Sequence, residues 1–328
     1  MSSEDSRALE SPTVLHRPTG EVALGASFAA LTMLLWAVLP FALAGALERV
    51  DPLTLTWARF VIASAALFAW LALRRELPEL RRLAAGGWRL LLLAVLALAV
   101  NYIAYLVGLQ RTTPAGAQVL IQLAQVLLSL GGIFVFGERF TRVQWAGFAT
   151  LVAGLFTFSW AQLAQLASEL GRYSSGIALI VFASVVWAGY GLAQKQLLVR
   201  LPAQPLMLLI YAGCALCFTP FAAPNALAAL DARGWLLIAF CGANTLLGYG
   251  ALAAALAHWE ASRVSALLAL GPLVTLAIAA LAAGAVPAER LDAPSSAGAL
   301  AVVAGSVATS AGGAKRKQTD DPSSLAAR

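Results

Sequence analysis

Apolar residues along the chain fall into long continuous runs that short polar stretches separate. Ten runs come close to or exceed the ~20 residues that a helix needs to cross a bilayer. They cover 23–47, 53–73, 90–109, 113–136, 144–163, 175–197, 205–221, 235–257, 262–286 and 295–312. Because the runs are continuous and do not alternate in polarity, helices are favoured over the strands of a barrel. The pattern predicts an all-α integral membrane protein with ten transmembrane helices.

Composition supports lipid as the solvent of this protein. Hydrophobic residues make up 60% of the chain and charged residues 12%, and the mean hydropathy is +0.80. Soluble domains carry roughly 25% charged residues, so this chain could not cover a soluble surface. The net charge of +6 is explained by basic loops, and no basic segment is interleaved with aromatic residues as in nucleic-acid-binding grooves.

The distribution of basic residues predicts the orientation of the chain. With a cytoplasmic N-terminus, 16 Lys and Arg residues fall on the inner side and 5 on the outer side. Cytoplasmic loops are enriched in basic residues, so both termini are predicted to be cytoplasmic. The polar ends, residues 1–22 and 313–328, are expected to be disordered tails. The predicted location is the cell membrane, as a multi-pass protein of a bacterial inner membrane.

The two halves of the chain resemble each other. Trp36-Ala37 matches Trp187-Ala188 at a spacing of 151 residues, and Asn101-Tyr102 aligns with Gly248-Tyr249 at a spacing of 147. Five helices per half is an odd number, so the second half is predicted to run through the membrane inverted, an arrangement typical of transporters. The predicted units are a first repeat, an extracytoplasmic linker and a second repeat, at residues 23–163, 164–174 and 175–312.

A motif at the end of the fourth run indicates a family. It reads Gly137-Glu138-Arg139-Phe140-Thr141, with Gln144, Gly147 and Gly154 after it, and it recurs more weakly at 288–291. Together with Arg59-Phe60 after Asp51-Pro52 and with Pro272, it resembles the pattern of EamA-type permeases of the drug/metabolite transporter superfamily. Gln125 departs from that pattern, since the family usually has a proline there. The resemblance implies a ten-helix secondary carrier, and many members of the family export amino acids and related metabolites.

Polar and aromatic residues within the spans are candidates to line a substrate path, because such groups in a membrane tend to face a cavity. In the fourth span, three glutamines at i, i+4 and i+7 share one helix face. Interhelical hydrogen bonding is the alternative for these amides, and plain packing is the alternative for each aromatic residue. The candidates are Trp36, Asn101, Tyr102, Tyr105, Gln118, Gln122, Gln125, Trp187, Tyr190, Gln194 and Tyr249.

Charged residues give two further expectations. Arg59 lies about six residues into the second span, roughly 9 Å deep, where it either snorkels outward or binds an anionic substrate group. Lys195 is expected to mark the membrane interface at the end of the sixth span. None of the 16 acidic residues lies inside a predicted span, which favours a facilitator, an exchanger or coupling through titration of the substrate itself. Pro40 and Pro272 are expected to break or kink their helices.

The function predicted from these features is secondary transport of small organic metabolites, such as amino acids, by alternating access. Two alternatives stay open: a membrane subunit or sensor that transports nothing, and an intramembrane enzyme acting on lipid. The spans lack the histidines and carboxylates that catalysis needs, so no enzyme, catalytic residue, metal or cofactor is predicted. The expected partners are the lipid bilayer and a small-molecule substrate, without nucleic acid, and a homodimer is left open.

Overall fold

The structure is a computed structural model, and it describes residues 15–112, 117, 120–282 and 293–311. Within these ranges the chain is helical and contains no strand. The helices are α1 (Val22–Leu47), α2 (Pro52–Arg74), α3 (Ala84–Gln110), α4 (Leu123–Phe136), α5 (Arg142–Phe158), α6 (Trp160–Ser168), α7 (Leu170–Leu197), α8 (Ala203–Phe218), α9 (Asn225–Ala228), α10 (Ala232–His258), α11 (Ala261–Leu268), α12 (Gly271–Ala282) and α13 (Ala293–Ala311).

Six of the predicted spans are confirmed as helices long and apolar enough to cross a membrane. They lie in α1, α2, α3, α7, α8 and α10. Large apolar side chains point outward from the bundle; Phe134, Leu216 and Leu300 are 77%, 73% and 72% exposed. Burying polar groups inside while exposing apolar ones outside is what lipid as the solvent requires.

The predicted spans 113–136 and 262–286 are described in part, since residues 113–116, 118–119 and 283–286 lie outside the described residues, and the helix of each span is interrupted by a turn. The chain turns at Ile121 and Gln122 before α4 begins, and again between α11 and α12. At both turns the backbone hydrogen bonds tighten to three-residue spacing, from Ala124 N to Ile121 O and from Leu273 N to Leu270 O. Pro272 explains the second break, because its ring lacks an N–H and disfavours helical backbone before it.

The proline of α1 does not end that helix. Pro40 lies inside Val22–Leu47, which continues through it. A proline leaves a carbonyl one turn earlier without its helical partner, and polar side chains of the second half reach that stretch. Asn244 Nδ2 donates to Leu35 O at 2.6 Å, and Thr275 Oγ1 donates to Ala37 O at 3.1 Å.

Helices α5 and α13, the fifth helix of each half, pack against each other through glycines. A Cβ on Gly154 would lie 2.6 Å from Val302 N, and one on Gly298 would lie 2.2 Å from Phe158 N. Gly147 lies beside Thr309 at the other end of this seam. Residue numbers therefore rise along one helix as they fall along the other, so these equivalent helices are antiparallel. Small residues allow this close backbone approach in membranes.

The remaining contacts repeat across the two halves. Helix α3 packs on α7, which joins the third helix of the first half to the first helix of the second, and α1 packs on α10 in the reciprocal relation. The second helices, α2 and α8, contact each other. The core thus forms where the two halves meet.

Three residues of the motif after α4 have a structural role at helix ends. Gly137 ends α4 with a left-handed backbone (φ 65°), a conformation that glycine adopts without penalty. Thr141 and Gln144 form a reciprocal capping box at the start of α5. Gln144 Nε2 also donates to Thr309 O at 3.1 Å and so ties α5 to α13.

The described part of the predicted N-terminal tail, residues 15–21, lies against the ends of α7 and α10; we name it the N-terminal segment. Thr19 N donates to Ala257 O and His16 N donates to the Gln196 side chain, both at 3.1 Å. His258 Nδ1 lies 2.8 Å from Thr19 Oγ1 and 3.1 Å from Glu21 Oε2. The predicted linker between the repeats is helical where α6 and α7 cover it.

Candidate functional site

Five predicted site residues come together in the centre of the bundle; we name them the aromatic cluster: Trp36, Tyr102, Trp187, Tyr190 and Tyr249. The ring of Tyr249 is the hub, with centroids 5.1 Å from Trp36, 6.4 Å from Tyr102 and 6.0 Å from Tyr190. Tyr190 is fully buried, and Trp187 and Tyr249 are 5% and 6% exposed. Helices α1, α3, α7 and α10 each contribute to the cluster, so both halves of the chain build it.

Residues that the internal repeat equates meet each other in this cluster. The rings of Trp36 and Trp187 lie 5.8 Å apart in an edge-on arrangement, and those of Tyr102 and Tyr249 lie 6.4 Å apart. Equivalent residues of two repeats can touch only near the axis that relates the repeats. The aromatic cluster therefore marks that axis, where inverted-repeat transporters place their substrate.

Arg59 lies beside the cluster with a buried side chain, which does not fit outward snorkelling, the first of its two alternatives. Its side chain is 5% exposed, Nε donates to Thr245 Oγ1 at 2.9 Å, and Nη2 lies 3.5 Å from Tyr102 Oη. The guanidinium also lies over the Tyr102 ring, 5.4 Å from its centroid. In the part of the chain that the structure describes, no carboxylate forms an ion pair with it.

The other predicted residues of α3 and α7 are Asn101, Tyr105 and Gln194. Asn101 Nδ2 donates to Ala183 O at 2.9 Å, which joins α3 to α7 as an interhelical contact. Gln194 is fully buried, its Nε2 lies 2.9 Å from Met207 Sδ, and its Oε1 has no hydrogen-bond partner among the described residues. Tyr105 is partly buried on α3.

The predicted glutamine stripe is only partly described. Gln118 lies outside the described residues. Gln122 lines a cavity of about 190 Å³ between α4 and α5, with Val152, Phe156 and other apolar side chains around it. Gln125 Oε1 is buried without a hydrogen-bond partner in the described ranges. The described part of the stripe thus lies at the turn before α4 and in the first turn of α4, next to an apolar space.

A buried ion pair joins the two halves at the point where the fourth helix of the first half, α4, ends and the fourth helix of the second half begins with α11. We name it the Glu138 junction. Lys195 Nζ donates to Glu138 Oε1, while Ala261 N and Ser262 N donate to the same carboxylate at 2.8 and 3.1 Å. Lys195 also lies 4.6 Å from the centre of the Phe136 ring. The junction therefore connects the end of α4, the last turn of α7 and the first turn of α11.

Lys195 lies in the last turn of α7, near the membrane boundary where it was expected, but its side chain is fully buried against Glu138, which is only 7% exposed. A buried carboxylate does exist, and it comes from a loop, not from a span. Burial alone would raise the pKa of Glu138, but the charge of Lys195 and hydrogen bonds from Lys195 and Ser262 outweigh it and hold the pKa below its ordinary value. Sequence reasoning missed this residue although the family motif contains it.

These features define a class of protein: a multi-pass helical membrane protein built from two related halves, with a central aromatic site between them. The family model that matches the chain is the EamA-like transporter family, over residues 23–160 and again over 174–311. The chain belongs to the EamA-like transporter family, which confirms the resemblance seen in its motifs.

Relatives and a solved structure agree with this assignment. The chain is 37% identical to the inner membrane transporter YhbE of Escherichia coli K12, over 78% of this chain and 80% of that protein. It is 33% identical to a transporter of Haemophilus influenzae, covering 88% and 95%, and 27% identical to a probable amino-acid metabolite efflux pump of Salmonella typhimurium, covering 84% and 91%. One crystal structure matches with a TM-score of 0.70 at 20% identity, over 88% of this chain and 97% of that one, which shows a shared fold. The predicted multi-pass inner-membrane location is confirmed.

Proposed function

We propose that the protein is a secondary transporter that exports small organic metabolites, such as amino acids, by alternating access. The observation that carries this proposal is the aromatic cluster, in which equivalent residues of the two halves meet beside Arg59. Both fourth helices are interrupted, and discontinuous helices are a recurring feature of transporter sites. The Salmonella relative, a probable amino-acid metabolite efflux pump, supports the substrate class and the direction.

The proposal includes ten spans with both termini in the cytoplasm. The bias of 16 inner to 5 outer basic residues supports this orientation. The antiparallel packing of α5 on α13 supports an odd number of spans in each half. With this orientation, the Glu138 junction and the N-terminal segment lie on the cytoplasmic side.

We assign the Glu138 junction to the inner gate of the transport cycle. Its carboxylate comes from the first half and both of its partner helices come from the second, so rocking of the halves would separate them. At the opposite ends of the helices, Arg49 Nε lies 3.6 Å from Asp231 Oδ1, and these side chains are 25% and 63% exposed. An exposed ion pair contributes about 0–1 kcal/mol, so the outer side opens more easily than the inner side.

Glu138 is not the carrier of a coupling proton in this proposal. Its pKa is held below the ordinary value, so the carboxylate stays charged between pH 6 and 8. Facilitated export, exchange, or titration of the substrate itself fits the site better. We expect export rates that respond to a pH gradient only as far as the substrate's own charge does.

Counterflow in proteoliposomes tests the transporter proposal. Proteoliposomes containing the purified wild-type protein would be loaded with a panel of unlabelled amino acids and related metabolites. The labelled solutes would then be added outside. Trp187→Ala removes a ring from the centre of the aromatic cluster, and we expect counterflow to fall about tenfold, equivalent to ~1.4 kcal/mol of lost binding. Trp160→Ala is the matched control, because that ring is 66% exposed, and it should leave counterflow unchanged.

The outcomes separate clearly. Labelled solute accumulating with the wild type and the control but not with Trp187→Ala supports both transport and the location of the site. Equal loss in both tryptophan variants would mean that the effect comes from general destabilisation, and the site would be wrong. Absence of counterflow with folded wild type over the whole panel would contradict export of this substrate class.

A further inference from the structure

Arg59 is a buried cation whose contacts within the described residues are all neutral. The hydroxyl of Thr245 accepts one hydrogen bond, and the hydroxyl and ring of Tyr102 provide the other contacts. A charge held away from water is costly unless it is paired. Snorkelling would avoid this cost at the depth of Arg59, yet the side chain is 5% exposed.

The repeated architecture itself does not need a cation at this position. At repeat spacings between 147 and 151 residues, Arg59 corresponds to residues 206–210, which read Leu-Met-Leu-Leu-Ile. Leu206 and Ile210 are fully buried in the core. The same helix in the second half therefore packs well with apolar residues alone, and the arginine is an addition specific to one half.

The guanidinium is placed to bind a planar anion. It carries five N–H donors in a rigid fork that matches a carboxylate in two parallel hydrogen bonds. Thr245 takes the donor at Nε, and the contact with Tyr102 at 3.5 Å is long. The terminal nitrogens thus retain donors for a ligand, and the rings of the aromatic cluster begin at Tyr102.

We propose that Arg59 binds a carboxylate of the substrate, so that the protein selects organic carboxylates whose apolar or aromatic body packs on the aromatic cluster. The charge-assisted pair compensates the buried arginine only while substrate is bound. Thr245, through its hydrogen bond to Nε, is a positioning residue that orients the fork. This inference rests on the proposed transport function and narrows its substrate class.

The test compares matched solutes in the proteoliposome assay, namely amino acids and their deaminated carboxylates, each beside its own primary amide. With wild type we expect carboxylates to compete for counterflow about 10- to 100-fold better than the amides, the value of one or two charged hydrogen bonds. Arg59→Gln should abolish this preference, and Arg59→Lys should retain part of it. Thr245→Val should weaken the preference without removing it.

Arg82→Gln is the matched control, since it removes an arginine whose side chain is 54% exposed, and the preference should stay as in wild type. If Arg59→Gln does not fold, the wild-type ratio of carboxylate to amide still decides. Wild type that moves both solutes of a pair equally well, or Arg59→Gln that keeps the full preference, overturns the role of Arg59 while transport stands. Wild type that moves no solute of the panel overturns the transport proposal as well.

Discussion

The Glu138 junction makes a strong prediction about stability, because it buries two charges that compensate each other. Lys195→Met keeps the apolar volume of the stem but leaves the Glu138 carboxylate without its cation. Breaking one side of a buried pair costs about 3–5 kcal/mol. The two backbone N–H groups at the start of α11 retain some support for the anion, worth ~1 kcal/mol. We therefore expect a loss of about 2–4 kcal/mol in the free energy of unfolding.

A double-mutant cycle measures this coupling. Glu138→Gln alone leaves the charge of Lys195 buried without a compensating carboxylate, and it should destabilise by a similar amount. The double variant removes both charges while the amide still accepts from α11, so it should lie within about 1 kcal/mol of wild type. Denaturant unfolding in detergent, followed by tryptophan fluorescence, gives the three values.

The exposed pair Glu79–Arg82 is the matched control for this cycle. Its side chains are 65% and 54% exposed although the hydrogen bonds are short, at 2.8 and 2.7 Å. Its coupling should be only about 0.2–1 kcal/mol. If the Glu138–Lys195 coupling is no larger than the control's, the junction does not hold the halves together and its assignment to a gate is refuted.

Three other variants test separate parts of the structure. Gly298→Ala should destabilise the protein by about 1–3 kcal/mol, because the added methyl meets backbone, whereas Gly171→Ala has open space and should not; equal thermal stability of the two would contradict the glycine seam. Gln144→Ala loses its capping-box bond and its bond to Thr309, and should cost about 1–2 kcal/mol by the same unfolding assay. Burial, and then a nearby lysine, lower the pKa of His16 from 6.5 to about 4; the neutral ring is the docked form, so docking of the N-terminal segment should be complete above pH 6.5 and weaken as the pH falls towards 4. Hydrogen exchange of that segment at pH 7.5 and 5 should show this loss, and His16→Asn should remove the pH dependence.

Part of the site could be predicted from the sequence because the repeat is recorded in residue types. Trp36-Ala37 and Trp187-Ala188 match at a spacing of 151 residues, and this match is enough to expect both tryptophans at the site. Their rings do lie 5.8 Å apart. Two matching tryptophans in helices rich in small residues are a strong signal, because the match does not depend on where the helices are taken to end.

Other features depend on contacts that local sequence does not contain. Glu138 and Lys195 are 57 positions apart, and each lies near a predicted membrane boundary where a charge is unremarkable. Only the packing of α4 on α7 shows that they pair. The break at Gln122 was missed because hydropathy does not register a turn within an apolar run, and no proline marks it as Pro272 marks the other.

The two residues of the Glu138 junction are not both repeated in the other half of the chain. The residues that correspond to Glu138 and Lys195 at a spacing of 151 are Glu289 and Ala44. The acidic member of the pair survives in both copies, whereas the basic member exists in one copy alone. In the proposed transport cycle, a lysine present in one half alone would favour a resting state that is closed on the side of Glu138, so that the two faces of the membrane would be energetically distinct to this protein.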